Sequence, residues 1–567
     1  MGIGFTIDTP IKVAHLGISS VISLVDDILI EKMRENYCKL NKIDFQPISM
    51  QTEDYRAKRI TAYLNLVNDI VTEKFNNLKN SDYKPGSELE KYFELLPEDS
   101  VLKRKFRNIL RMNPSEDVVR EWISNNLILG SIDVNIMTKL DKANYNNKEK
   151  LLPEFNDAHA ALRGYANSNL ESSIVLSAGV NTKLYSYFEK FKDFYPDENG
   201  NRKKKIILKI SDYRSAFIQG KLFANKGLWI SEFRLESGLN CGGHAFATDG
   251  YLMGPVLEEI KVNREKLKEN MHVLMCKALK SKNLFTPDNP FEQRFTAQGG
   301  VGTSEEHNYL LDQYNLDSIG WGTPFLLVPE VTNVDNDTSK LLCEAKEDDL
   351  YLSRISPLGV PFNSLRNNTK DIEKDGLTEA GRPGSSCPEK YCSLNTEFTD
   401  QPICTASRQF QKIKITELND KNLETISHNN IFDRIVEKAC LCVGLSTSAL
   451  IVNGIDTKKT GLGVSVCPGP NMAYFSEVVS LKKMVDHIYG KINLITRKDR
   501  PNMFIKELEL YINYFRELTE SITAYSNEIQ MKHIENFRKN INDGIYYYKS
   551  LFNDFKSSFE HAKEDIL

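Results

Sequence analysis

The apolar positions of this chain come in two textures. Between residues 128 and 327, short runs rich in Ile, Val, Leu and Phe close on Gly, Ser, Asn or Asp: ILGSIDVNIMT, ESSIVLSAG, IILKISD, GLWISEFRLESG, QRFTAQGGVGT and LDSIGWGTPFLL. Stretches with apolar residues at helical spacing, such as SDYRSAFIQGKLFANKG and TSEEHNYLLDQYN, lie between them. Strands alternating with helices predict βαβ units around a parallel sheet. Near the N-terminus, IKVAHLGISSVISLVDDILIEKM reads as a further short strand, a tight loop and a helix. About six to eight such units over roughly 330 residues predict an α/β fold of the (β/α)8 TIM-barrel type, with a doubly wound open sheet as the alternative.

The second texture flanks this core. Residues 35–128 are polar with helical spacing in YLNLVNDIVTEKF and VVREWISNNLI, which predicts a helical insertion after the first unit. The expected barrel therefore comprises residues 1–34 and 129–335. From 336 to 480 the chain is irregular, partly helical and rich in Pro, Gly and Cys, and 481–567 reads as a helical tail. The aromatic stripe of GIYYYKSLFNDFKSSFEHA in that tail is read as a packed face, since bases stacked on helical aromatics are the rarer arrangement.

A formal charge of −4 leaves no electrostatic footprint for nucleic acid. The basic run NRKKKIILK leads straight into a strand and reads as its solvated approach. No apolar run reaches the roughly 18 residues of a membrane helix, and the first residues lack a signal-peptide pattern. A cytoplasmic protein is expected, with its ten cysteines reduced or binding metal.

Three glycine-bearing strand ends carry candidate chemistry. In LNCGGHAFATDG, Gly242 and Gly243 permit a sharp turn and close backbone approach, and His244 is a proton-transfer group. Taken alone, GGH reads equally as a turn beside an ordinary histidine. In TAQGGVGTSEEHNYLL, Gly299, Gly300 and Gly302 precede a helix capped by Thr303 or Ser304, with Glu306 in its first turn. Their amides, with those of Gly322 and Thr323 in SIGWGTPFLL, are placed to cradle one phosphate at a helix N-terminus.

GLNCGGHAFATDG, TAQGGVGTSEEHNYLL and DSIGWGTPFLL, in that order, resemble the nitronate monooxygenase superfamily of FMN-dependent barrels, which includes flavin enoyl reductases. The family's AGGH motif falls on Cys241, Gly242, Gly243 and His244, with cysteine in place of the usual alanine. Its phosphate-binding pairs fall on Gly299–Gly300 and Gly322–Thr323. TPIKVAHLGISS is similar to the family's opening strand and loop, which places Ala14 and His15 against the flavin. Asn135, in DVNIM, stands at the position of the second-strand asparagine. ACLCVGLSTSALIVNG and VSVCPGPNMAYFS are similar to C-terminal segments of the polyunsaturated-fatty-acid-synthase type of enoyl reductase. The resemblance covers about half the chain and implies hydride or electron transfer at FMN, with His244 moving the proton. Lys209 and Ser211, which end the IILKIS strand, are further candidates to line the flavin.

Cys387, Cys392, Cys404, Cys440, Cys442 and Cys467 fall within one segment without the C-x2-C pairs of common zinc or ferredoxin sites. Two readings stand: small buried residues, or an iron–sulfur cluster on Cys387, Cys404, Cys442 and Cys467 with Cys392 and Cys440 as alternates. The functional expectation is an FMN-dependent oxidoreductase, nitronate-oxidising or reducing an enoyl thioester, on a small or carrier-bound substrate. NADH or NADPH is the candidate reductant and a homodimer the candidate assembly. The competing expectation is a non-catalytic flavin-binding subunit that docks a partner through its C-terminal region.

Overall fold

The computed structural model describes residues 3–146, 148–177, 179–242, 249–421, 423–520 and 528–554. Seven parallel strands form one sheet: β1 (Ser20–Ser23), β2 (Ile132–Ile136), β3 (Ser173–Leu176), β4 (Lys205–Ile210), β5 (Ile230–Glu236), β6 (Arg294–Gln298) and β7 (Ser318–Gly320). They pair strictly in sequence order. With right-handed crossovers, a strand order that never reverses puts every crossover on one face. The doubly wound alternative, which needs a reversal, is thereby excluded.

The register makes the two faces chemically different. Ile136, Leu176, Leu208, Phe233 and Phe295 lie in one row, and Ile210, Leu235 and Ala297 in the next; all are buried. The helices Asp157–Ala166, Tyr213–Ala224 and Met253–Ser281 pack against these strands. The opposite face carries Asp133, Asn135, Lys209, Glu232, Arg234, Glu236, Thr296 and Gln298. There Arg234 pairs with Glu232 at 2.7 Å, and Thr296 Oγ1 donates to Glu232 at 2.7 Å. A barrel core is usually layered with branched aliphatic residues. Here a polar inner face takes their place.

The eight-stranded expectation is corrected. Among the described residues no strand links β7 to β1, and the sheet has seven strands. The stretch IKVAHLG is not a strand: Thr9–Val13 is α-helical and Ala14–Leu16 a 3-10 turn. Pro10 at the start of the helix has the backbone angle that favours this. The first strand lies further on, in SVIS.

Five helices, Asp27–Leu40, Tyr55–Lys79, Glu88–Glu94, Val101–Arg111 and Glu116–Asn126, separate β1 from β2. The Asp26 carboxylate caps the first by accepting from Leu29 N at 2.8 Å. Beyond β7 come an antiparallel hairpin, β8 (Leu350–Ser353) with β9 (Phe362–Leu365), and a set of helices. One of these, Leu441–Val452, is apolar nearly all round and buried from Leu441 to Leu450, as such a helix must be in water. No single described helix is long and apolar enough to cross a membrane.

Candidate functional site

Because all seven strands run the same way, their C-terminal ends share one edge, and the loops after β5, β6 and β7 converge there. A Cβ on Gly299 would stand 3.0 Å from the backbone of Asn240, and one on Gly300 would stand 2.6 Å from the side chain of Leu239. Both glycines also have φ near +100° (105° and 89°), a region costly for other residues. A Cβ on Gly322 would meet Cys241 Cβ at 3.3 Å. The loop Ser237–Gly242 is thus held by the two glycine loops, and the sequence motifs become one surface.

The segment 467–471 closes over it. Gly242 N donates to Cys467 O at 3.3 Å, Gly469 N to Thr323 Oγ1 at 3.0 Å, and Asn471 Nδ2 to Gly300 O at 2.5 Å. Arg500 adds a donor to Gly300 O at 3.1 Å and pairs with Glu306 at 2.8 Å, both side chains being buried. His487 Nε2 lies 2.9 Å from Gly302 O, and burial lowers its pKa.

At the polar face below these loops, Lys209 Nζ stands 3.1 Å from Glu236 Oε1. Asn240 Nδ2 donates to the same oxygen at 2.9 Å, and Gln298 Nε2 also donates to it. One buried carboxylate therefore collects a cation and two amides from three successive strand ends. Alongside, Glu507 accepts from Ser237 Oγ at 2.8 Å, Met253 N at 2.9 Å and Tyr548 OH at 3.1 Å. Burial outweighs these donors and pushes Glu507 up to about 7.

Not every candidate residue joins this edge. Lys209, Gly242, Gly299, Gly300, Gly322 and Thr323 are brought together, and Asn135 lies on the same face, registered with Ser23. Gly243 and His244 lie outside the described residues. Ala14 and His15 are at the other edge of the sheet: Ala14 O accepts from Gly130 N, just before β2, at 2.9 Å. His15 Nε2 is 2.8 Å from Glu88, and burial lowers its pKa in spite of that carboxylate. The helical turn at 14–16 ends before β1 begins, so it reaches only the N-terminal edge. Ser211 is turned aside, donating to Asp212 at 2.7 Å.

The cysteine cluster is corrected as well. Cys467 stands with Cys241 at the glycine loops, away from the other five. Cys392 and Cys442 are 3.2 Å apart, and Cys387 contacts Cys404 and Cys440. Among the described residues no set of three or more His, Cys, Asp or Glu side chains has an arrangement suited to a metal ion.

For a bound FMN phosphate the fit is partial but specific. Among the described residues nothing accepts from the amides of Gly300, Gly322 or Thr323. Gly302 N is already taken by Glu306 Oε2 at 2.8 Å, so the helix N-terminus holds a side-chain carboxylate. The cradle is left to the Gly299–Gly300 and Gly322–Thr323 loops. Glu236, Gln298 and Asn240 could be read from alternation and loop position. Glu507, Arg500 and His487 arrive from far along the chain and give no local signal.

No protein-family model and no curated protein matches this sequence. Among solved structures, a FabK variant from Thermotoga maritima is similar over 70% of this chain and 82% of its own, at 11% identity and a TM-score of 0.31. The enoyl reductase domain of MlnA, from the macrolactin biosynthesis cluster of Bacillus amyloliquefaciens, is similar over 76% and 87%, at 11% identity and a TM-score of 0.32. Likeness at this level decides neither fold nor activity.

Proposed function

We propose that this protein is an FMN-dependent oxidoreductase acting on a small or carrier-bound organic substrate at the C-terminal edge of its sheet. The observation that carries the reading is the meeting of three glycine-bearing loops over a polar strand-end cluster, with backbone amides still lacking an acceptor. Gly300, Gly322 and Thr323 hold the phosphate through those amides. When bound, FMN supplies the hydride or electron transfer.

The chain's own residues do the rest. Glu236, fixed by Asn240 and Gln298, orients Lys209 so that its ammonium faces the strand ends. A cation held there favours negative charge on whatever ring or substrate oxygen lies above it. The 464–474 segment braces the glycine loops from outside and limits the approach of water. His244, next to the Cys241–Gly242 corner in sequence, moves the substrate proton. NADH or NADPH is the reductant if the substrate is an enoyl thioester; a nitronate needs none.

His244→Ala tests the proton role. With FMN bound, the variant is expected to lose turnover on both nitroalkane and enoyl-thioester substrates, at least about 100-fold, while retaining the flavin. Unchanged turnover contradicts the assignment. Turnover by the unaltered protein on one substrate class and not the other selects between oxidation and reduction.

A further inference from the structure

The proton-transfer reading leaves one feature of the site unused: cysteine at position 241, where the resemblance leads one to expect alanine. Cys241 is 5% exposed and Cys467 2% exposed, and their thiols are hydrogen-bonded to each other. The two backbones are adjacent, since Gly242 N donates to Cys467 O at 3.3 Å. Thr323 Oγ1 and Gly469 N also reach Cys241 Sγ, so three donors surround one sulfur. Packing alone explains a buried thiol, but it does not require a ring of donors. Such a ring is what stabilises a thiolate.

The molecule holds its own comparison. Cys392 and Cys442 are also buried and 3.2 Å apart, yet the interactions that bear on the Cys442 thiol come from acidic groups and burial, which hold it protonated. Cys241 is shifted the opposite way, downward, chiefly because the Cys467 thiol donates to it. Two thiol pairs of similar contact thus differ in which sulfur is prepared to react.

We infer that Cys241 and Cys467 form a redox-active dithiol that reacts with hydroperoxides and closes to a disulfide across the mouth of the site. The step balances. The Cys241 thiolate attacks one peroxide oxygen, the O–O bond breaks, and the leaving oxygen departs as water or an alcohol after taking up a proton. The resulting sulfenic acid is attacked by the Cys467 sulfur; the new S–S bond forms as the S–O bond breaks, and a second water leaves. The two thiols lose two electrons and the peroxide gains them. A small dithiol reverses the bond by exchange. The disulfide ties the Ser237–Gly242 loop to the segment covering Gly300 and Thr323, so the oxidised protein has a stiffened site. No flavin takes part, so the inference stands apart from the proposed function.

The test uses the full chain, reduced, freed of reductant and of FMN, and exposed to an equimolar amount of hydrogen peroxide. Remaining thiols are then alkylated under denaturing conditions and the digest is read without reduction. The expected product links the Cys241 and Cys467 peptides, formed at least about tenfold faster than any Cys392–Cys442 link. In Cys467→Ser the reaction should stop at a sulfenic acid on Cys241 that dimedone captures. Cys241 left fully alkylatable, or Cys392–Cys442 linked as fast, overturns the inference.

Discussion

At the scale of single residues, the site is defined by positions where nothing larger than hydrogen fits. Gly300 is the sharpest case, with φ of 89° and Leu239 Cδ1 2.6 Å from where a Cβ would be. Gly300→Ala should cost about 1–2 kcal/mol of stability from the left-handed backbone. It should also weaken FMN binding by about tenfold, because the loop must shift the amide that faces the phosphate. Denaturant melts and a flavin-fluorescence titration check the two effects separately; lost stability with unchanged FMN affinity would remove Gly300 from the cradle. The glycine pairs were legible in the sequence because short-range backbone demands leave a short-range mark. The partner of Lys209 was not, since a strand-end lysine reads the same whether it meets solvent or Glu236.

Elements show a different balance. β2 to β7 were readable from their compact apolar runs, and the alternation in EFRLE and RFTAQ already separates an apolar face from a polar one. The opening strand misled for a physical reason: IKVAHLG has a strand's composition, but it sits in a helix and a 3-10 turn just before β1. That displacement carries Ala14 and His15 to the far edge of the sheet. The helix Met503–Glu520 illustrates what no local pattern reveals, because it delivers Glu507 into a fully buried place between β5 and Tyr548. Its carboxyl is raised from an ordinary value of 4.5 to about 7, so the unfolded chain ionises first. The stability tied to this group is therefore complete below about pH 4.5 and lost as pH rises through about 7, a change on the order of 3 kcal/mol. Glu507→Gln should flatten that part of the stability–pH profile, as followed by urea unfolding between pH 5 and 8. A profile that keeps its slope would place the titration elsewhere.

Taken as a whole molecule, the chain wraps a singly wound parallel sheet so that remote segments finish the site. Thr323 meets Gly469, Gly300 meets Asn471 and Arg500, and Ser237 meets Glu507. Sequence alone separates barrel from C-terminal region because composition changes near residue 335, yet the two share one functional edge. The same long-range contacts explain why the six late cysteines do not form one group: Cys467 travels with the CPGPN segment to Cys241, while the others gather around the helix Leu441–Val452. The central claim is that this shared edge holds FMN. The most direct measurement is a visible absorption spectrum of the full-length protein after incubation with FMN and removal of the free cofactor. Flavin bands retained at close to one FMN per chain, and reduced in the Gly300→Ala protein, are the predicted result. A colourless protein that gives no change in FMN fluorescence on titration would contradict it.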